Sequence, residues 1–151
     1  MIFVTVGTTH FDGLIEAVDQ AKAAGLLEGD VLCQIGNGKY LPSHCDYFRF
    51  RPSIDDLLVQ AELVITHGGT TALALLTARK PFIAVANTAL AGDHQSHFLR
   101  AISQIGVIPW SRDPAELPRL IEEARTLDFA AVKIPSLYDD LLGFLDGGAK
   151  P

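Results

Sequence analysis

Leu63-Val64-Ile65-Thr66-His67-Gly68-Gly69-Thr70-Thr71 decides the fold of this chain. An apolar run long enough for one buried strand stops at a paired glycine, two hydroxyls follow, and a helix-forming run of alanine and leucine begins. Successive glycines let a ligand come close to the backbone, and the N–H groups freed at the start of the next helix favour an anion there. Phe82-Ile83-Ala84-Val85 is the next strand, and Asp93-His94-Gln95 opens the helix after it. A strand, a glycine turn, a helix and a strand in that order put the turn at the carboxyl end of a parallel strand, where open α/β sheets bind ligands.

The same alternation extends outward. Ile2 to Val6 is a first strand, followed by the turn Gly7-Thr8-Thr9. Asp12 is expected to cap a helix with Leu14, Ile15, Val18 and Ala21 on its inner side and Gly25 at its end. Val31 to Ile35 and Tyr47 to Phe50 predict two more strands, and Pro52-Ser53 with Asp55 and Asp56 starts a short helix capped by Ser53. Asp93 is expected to cap a helix with Phe98, Leu99, Ile102 and Ile105 on one face, stopped by Gly106. A last strand is placed at Val107 to Pro109. Asp113-Pro114-Ala115-Glu116 has the pattern of a capping box with proline at the first helical position. Leu137 to Leu145 reads as a terminal amphipathic helix, with Leu141, Leu142 and Phe144 as candidate partner contacts. These elements predict a Rossmann-like, doubly wound parallel sheet in a single domain over residues 1–151.

Composition narrows the function. With 151 residues, 48% apolar and 20% charged, the chain suits one domain with a sizeable core. A formal net charge of −6 argues against nucleic-acid binding, which calls for a basic face. The first strand follows Met1 directly, with no positively charged leader and no long apolar span, so a cytoplasmic protein is expected. Cys33 and Cys45 lack metal-ligand spacing and are expected as buried thiols.

The motifs exclude more than they assign. No Gly-x-Gly-x-x-Gly follows the first strand and no Gly-Lys-Ser/Thr occurs, which removes the dinucleotide fingerprint and the P-loop. No nucleophile elbow, zinc pattern or pair of catalytic carboxylates stands out, so catalytic residues are unassigned and neither metal nor cofactor is called for. His67-Gly68-Gly69 is a phosphate turn or a tight structural turn. Asp93 and Gln95 supply several donors and acceptors at fixed spacing, as sugar hydroxyls need, or else form a well-capped helix start.

Taken together, the opening Ile2-Phe3-Val4-Thr5-Val6-Gly7-Thr8, Phe11-Asp12, Gln34-Ile35-Gly36, Thr66-His67-Gly68-Gly69 and Asp93-His94-Gln95 resemble the glycosyltransferase family 28 C-terminal domain over residues 1 to about 110. Within it the chain is most similar to small stand-alone subunits of bacterial exopolysaccharide and capsule glycosyltransferases and their dolichol-linked eukaryotic counterparts. The resemblance implies the donor-binding half of a GT-B enzyme. It would move a hexosyl group from a nucleotide diphosphate sugar, UDP-linked by expectation, to a lipid-linked acceptor. A membrane-anchored partner subunit would hold that acceptor at the inner face of the membrane. Carried onto this sequence, Gly7, Thr8, Thr9 and His67, Gly68, Gly69, Thr70, Thr71 would approach the diphosphate, Asp93 and Gln95 the sugar, and Asn87 the rim of the donor pocket. Relatives place a ribose-binding glutamate after the histidine-glycine loop; here Leu75 is the matching position, and no acid occurs from Thr70 to Lys80. Thr71 stands where glycine is frequent, and the small residues from Ala86 to Gly92 are expected to form a mobile loop. A binding subunit without catalysis, and a self-sufficient hydrolase or epimerase, are the alternative expectations.

Overall fold

The computed structural model describes residues 1–89 and 91–131; the expected terminal helix with Leu141, Leu142 and Phe144 lies outside the described residues. Six strands form one sheet: β1 (Ile2–Thr5), β2 (Val31–Gln34), β3 (Asp46–Phe48), β4 (Leu63–Thr66), β5 (Phe82–Val85) and β6 (Trp110–Ser111). Every pairing is parallel, in the order β3-β2-β1-β4-β5-β6. The order reverses between β1 and β4. That pair is the switch point, and the crevice beyond its carboxyl ends is where a doubly wound sheet takes a ligand.

The period of two along each strand builds the layers. Ile2, Val4, Ile65, Ile83 and Val85 face α1 (Asp12–Ala23) and α5 (Leu117–Thr126), packing with Leu14, Ile15, Val18, Leu117, Leu120 and Ile121. Phe3, Val64, Phe82 and Ala84 point to the opposite face, against α2 (Asp55–Gln60), α3 (Thr70–Thr77) and α4 (His94–Ile105) through Leu57, Leu75, Leu76, Leu99 and Ile102. Strands buried on both faces carry no solvent side, which is why they read as unbroken apolar runs.

Several local expectations shift. Asp12 begins α1 but does not cap it. Both of its carboxylate oxygens accept the Lys39 N–H, at 3.1 and 3.2 Å, so it ties the loop after β2 to the helix start. Ser53 accepts the Asp55 N–H at 3.2 Å, yet Ile54 holds the cap position of α2. The last strand is Trp110–Ser111, not Val107–Pro109. The Pro109 carbonyl accepts the Ala84 N–H, but proline has no N–H to return, so the paired ladder starts one residue later. Asp113 caps through Ala115 N–H as expected; the segment Pro114–Glu116 is a 3-10 turn, and Glu116 bonds Ser111 and Arg119 instead of closing a capping box. Cys33 is buried and Cys45 half-buried, both as free thiols.

Asp19 fixes the loop before β3. Its carboxylate, 3% exposed, accepts the Tyr40 hydroxyl at 2.7 Å, the Ser43 N–H at 3.0 Å and the His44 N–H at 2.7 Å, with His44 Nδ1 at 3.3 Å. Burial alone would raise its pKa, but the bonds from Ser43, Tyr40 and His44 together outweigh it and hold the carboxyl below its ordinary 3.8. A folded pKa below the unfolded one gives stability that is complete above 3.8 and is lost as pH falls through the lower folded value. Asp19→Ala, which strands these donors, is expected to lower the unfolding free energy by about 2–4 kcal/mol at neutral pH. In urea titrations the gap to wild type narrows on acidification below 3.8; a gap that stays constant into strong acid would contradict this assignment.

Candidate functional site

Four loops meet at the carboxyl edge of the sheet, held together mainly by hydrogen bonds between side chains and backbone groups. After β1, Gly7 turns at φ +69° and its N–H is accepted by Thr5 Oγ1 at 3.2 Å. Thr8 and Thr9 are exposed at the rim, with Thr9 Oγ1 on the Val6 carbonyl. After β2, Asn37 N–H donates to the Thr9 carbonyl at 3.1 Å, and the Arg49 guanidinium donates to the carbonyls of Gly36 and Gly38 at 2.9 and 2.7 Å. Gly36 sits at φ +56° with its α-carbon against the Thr9 carbonyl, so no side chain fits there.

After β4 the chain enters His67-Gly68-Gly69. The imidazole lies over both neighbouring turns: a Cβ on Gly69 would meet His67 Cε1 at 2.7 Å, and one on Gly7 would meet His67 Nε2 at 3.2 Å. Gly68 is packed against α4, where a Cβ would meet Gln95 Cβ at 2.8 Å. His67 therefore joins the two loops that flank the switch point. Burial lowers its pKa below 6.5, partly countered by side-chain hydrogen bonding with Gln95, so the ring is neutral at pH 7. Its Nδ1 and Thr66 Oγ1 are buried with no hydrogen-bond partner among the described residues. Gly69 caps α3 without a side-chain bond, leaving the first-turn N–H groups at Thr70 and Thr71 with no side-chain acceptor. The free N–H groups of a helix start favour negative charge beside it.

Gln95 has a role that its spacing did not show. Its Oε1 accepts both the Gly68 N–H at 3.1 Å and the Asn87 N–H at 2.8 Å, joining the loops after β4 and β5. Asn87, 5% exposed, extends the join: its Nδ2 donates to the His10 carbonyl at 3.0 Å, reaching the loop after β1. Asp93 precedes α4 in the left-handed region at φ +49°; its carboxylate accepts Ser96 Oγ and Arg112 Nη2, each at 2.7 Å. The polar heads of both sugar candidates are thus bonded within the protein. Next to them a cavity of about 320 Å3 is lined by Gly68, Gly69, Thr70, His94, Gln95, His97 and Phe98. Ser96, His97, Phe98 and Arg112 were absent from the sequence-derived site; Arg112 meets Asp93 19 residues away, and nothing local marks such a pairing.

Leu75 takes no part in the crevice. It is 3% exposed and packs on the sheet, whereas the neighbouring exposed position on α3 is Ala74. The helix turns 100° per residue, so the outward place belongs to position 74; it too carries no acid.

A six-stranded parallel sheet of order 3-2-1-4-5-6 with glycine turns at its switch point defines a Rossmann-like domain. Solved glycosyltransferases share that fold. The glycotransferase of kitacinnamycin superposes with a TM-score of 0.63 at 20% identity, over 94% of this chain and 39% of that one. MurG of Acinetobacter baumannii gives 0.57 at 16%, over 96% and 49%. The sheet and its helices correspond to one half of these GT-B structures. The profile of the glycosyltransferase family 28 C-terminal domain matches residues 1–126, through α5, and the chain belongs to that family. The UDP-N-acetylglucosamine transferase subunit ALG13 of Mus musculus is 33% identical over 116 residues, and that of Homo sapiens 32% over 117. These alignments take in 69% and 70% of this chain but a tenth of each relative's length.

The Gln95 join has a thermodynamic consequence. Gln95→Ala removes the acceptor of two backbone N–H groups and is expected to cost about 2 kcal/mol, or roughly 4–8 °C in melting temperature, while Gln95→Glu, which keeps an acceptor oxygen, loses less. Calorimetric melting of the two variants checks it. Equal losses would mean that the carbonyl oxygen is not what matters.

Proposed function

We propose that this chain is the donor-binding half of a glycosyltransferase that takes a UDP-linked sugar at the carboxyl edge of its sheet. The observation that supports this best is the buried, unpaired Nδ1 of His67 beside the uncapped first turn of α3. The diphosphate would lie across Gly7 to Thr9 and His67 to Thr71, met by peptide N–H groups and a neutral imidazole. The sugar would occupy the cavity beside Phe98, His94 and His97, near Asp93, Asn87 and Gln95. A hexosyl group of the N-acetylglucosamine class is in keeping with the name of the ALG13 relatives.

In the reaction so read, an acceptor hydroxyl attacks the anomeric carbon from the face opposite UDP, so the configuration inverts. The bond to the β-phosphate oxygen breaks, and its electron pair leaves on UDP. Helix-start N–H groups and His67 stabilise that developing charge, as fixed donors do for other leaving oxyanions. The acceptor proton goes to a base outside this chain. A partner subunit anchored in the membrane would supply that base and the lipid-linked acceptor; the word subunit in the relatives' name is in keeping with such a division. This chain would be cytoplasmic and reach the membrane through that partner. Among the described residues no helix is long and apolar enough to cross a membrane.

The acid-free α3 also favours a second reading, a subunit that binds nucleotide sugar without turning it over. Assay of the purified chain with UDP-N-acetylglucosamine, alone and with a co-expressed membrane partner, separates the readings. Turnover is expected only with the partner; binding without turnover in either case would support the second reading, and full turnover by the chain alone would exclude the split enzyme.

Calorimetry is expected to show His67→Ala weakening UDP and UDP-sugar alike, by about tenfold, because both carry the diphosphate. Gln95→Ala is expected to weaken both as well, since it loosens the same loop; a loss confined to the UDP-sugar would return Gln95 to the sugar. With Ala74 and Leu75 on α3, UDP and dUDP are expected to bind within about tenfold of each other. A larger preference for UDP would mean that another group reads the 2′-hydroxyl.

A further inference from the structure

Arg112 lies on the loop after β6, outside every motif of the site, yet it reaches the start of α4. Its Nη2 is 2.7 Å from Asp93 Oδ2 and its Nε donates to Ser96 Oγ at 3.2 Å, while Ser96 Oγ donates to Asp93 Oδ1 at 2.7 Å. The three side chains close a ring around the entrance of the helix. Ser96 is 2% exposed, so this ring is packed on one side. Arg112 itself is anchored: Ser111 pairs with Val85 in the sheet, Ser111 O accepts the Ala86 N–H at 2.9 Å, and Asp113 N–H donates to Ser111 Oγ at 3.0 Å.

What the ring holds is an unfavourable turn. Gly92 at φ +73° and Asp93 at φ +49° are successive left-handed residues, and for aspartate that conformation carries a cost. The turn sets the direction of the first turn of α4, and hence the place of Gln95, two residues on. Gln95 in turn holds Gly68 and Asn87, the ends of the two loops that border the diphosphate cradle. A contiguous set of bonds thus runs from β6 to the anion turn.

We propose that Arg112 is a positioning residue for the donor site, acting through Asp93 and Ser96 to hold Gln95 against the loops after β4 and β5. This inference rests on the donor-binding reading above for its consequence, though not for its geometry. Arg112 need not touch the ligand. Its part is to keep the N–H groups of Gly68 and Asn87 bonded and their loops in one arrangement before the nucleotide arrives.

The test begins on the ligand-free chain with amide hydrogen exchange by NMR. Arg112→Ala is expected to speed exchange at Gly68 and Asn87 by about tenfold while the strand amides of Val4 and Ile65 keep their protection, a pattern that a general loss of stability would not produce. Arg125→Ala, which removes an equally charged side chain paired with Glu122 on α5, is expected to leave all four unchanged. Unaltered exchange at Gly68 and Asn87 in Arg112→Ala overturns the proposal. Calorimetry with UDP is the second arm: Arg112→Ala is expected to lose about fivefold in affinity, and Asp93→Ala with Arg112→Ala no more than Asp93→Ala alone, because the two act as one unit. Losses that multiply overturn the route through Asp93; faster exchange with unchanged UDP affinity overturns the part played in the donor site. If wild type fails to bind UDP, the donor reading fails while the exchange data still decide the brace. Should Arg112→Ala unfold at the assay temperature, Arg112→Gln is read in its place, with a smaller change in the same direction expected and no change counting against the proposal.

Discussion

A single amide oxygen, Gln95 Oε1, takes the backbone N–H groups at the ends of two adjacent loops, and the arrangement of the site depends on it. Where parallel strands end, ladder bonding stops and the next N–H groups must find acceptors elsewhere, since a buried unpaired donor costs about 1–3 kcal/mol. A total stability of roughly 5–15 kcal/mol gives little room for two such losses. The solution constrains neighbouring residues. Gly68 has to lack a side chain because Gln95 Cβ, the Gln95 carbonyl and Leu99 Cδ1 crowd its α-carbon, and Asn87 has to carry an amide because its own side chain continues the join to His10. Three loops from β1, β4 and β5 are thereby held by two amide side chains.

The electrostatics of the cradle follow from the same economy of charge. The chain is acidic overall, and around His67 and the start of α3 the donors are peptide N–H groups, hydroxyls and a neutral ring. The nearby guanidinium groups are committed to structure, Arg112 to Asp93 and Arg49 to the carbonyls of Gly36 and Gly38. Fixed dipoles in a partly buried crevice recognise an anion by position and need no counter-ion. Arg49 fixes the loop after β2, and Arg112 the start of α4.

Much of this architecture was legible in the sequence because it depends on short-range patterns. Apolar runs gave β1, β2, β4 and β5, the first three with glycine soon after, and helical spacing gave the inner faces of α1 and α4; β3, placed at Tyr47 to Phe50, lies at Asp46–Phe48, an exposed edge strand with no apolar run to fix its ends. β6 slipped because Val107-Ile108-Pro109 has the right polarity, while the ladder is decided by whether a residue has an N–H to give, which Pro109 lacks. A different reason applies to Asp12, which does not cap α1, and to Asp93, which holds the cap position of α4 without a side-chain bond to a first-turn N–H. An aspartate at a helix start looks alike whether it accepts the N–H groups of its own first turn or, as here, the Lys39 N–H 27 residues away in one case and the Ser96 hydroxyl with Arg112, 19 residues away, in the other. Gln95 falls in the same class, with partners 27 and 8 residues distant. The sequence thus located the loops of the site but not the bonds between them, because those bonds are long-range and each uses one ordinary polar residue.

The two kinds of interaction divide the work of the molecule, and the division runs through α3. Its inner positions Ala72, Leu75 and Leu76 are buried against the sheet beneath the crevice, so a polar group there would lose packing before it gained a ligand. The outward positions, Thr70 and Ala74, face solvent and contribute little to the core. A change of ligand preference can therefore be made at position 74 without disturbing the fold, whereas the same change at 75 would be opposed by the core. Leu75 is retained by packing, and the lack of an acid on this helix is a property of its exposed face. The exposed face of α3 is thus the part least constrained by folding, while the turns at its start, built from glycines, N–H groups and two amide side chains, are the part that the fold itself holds in place.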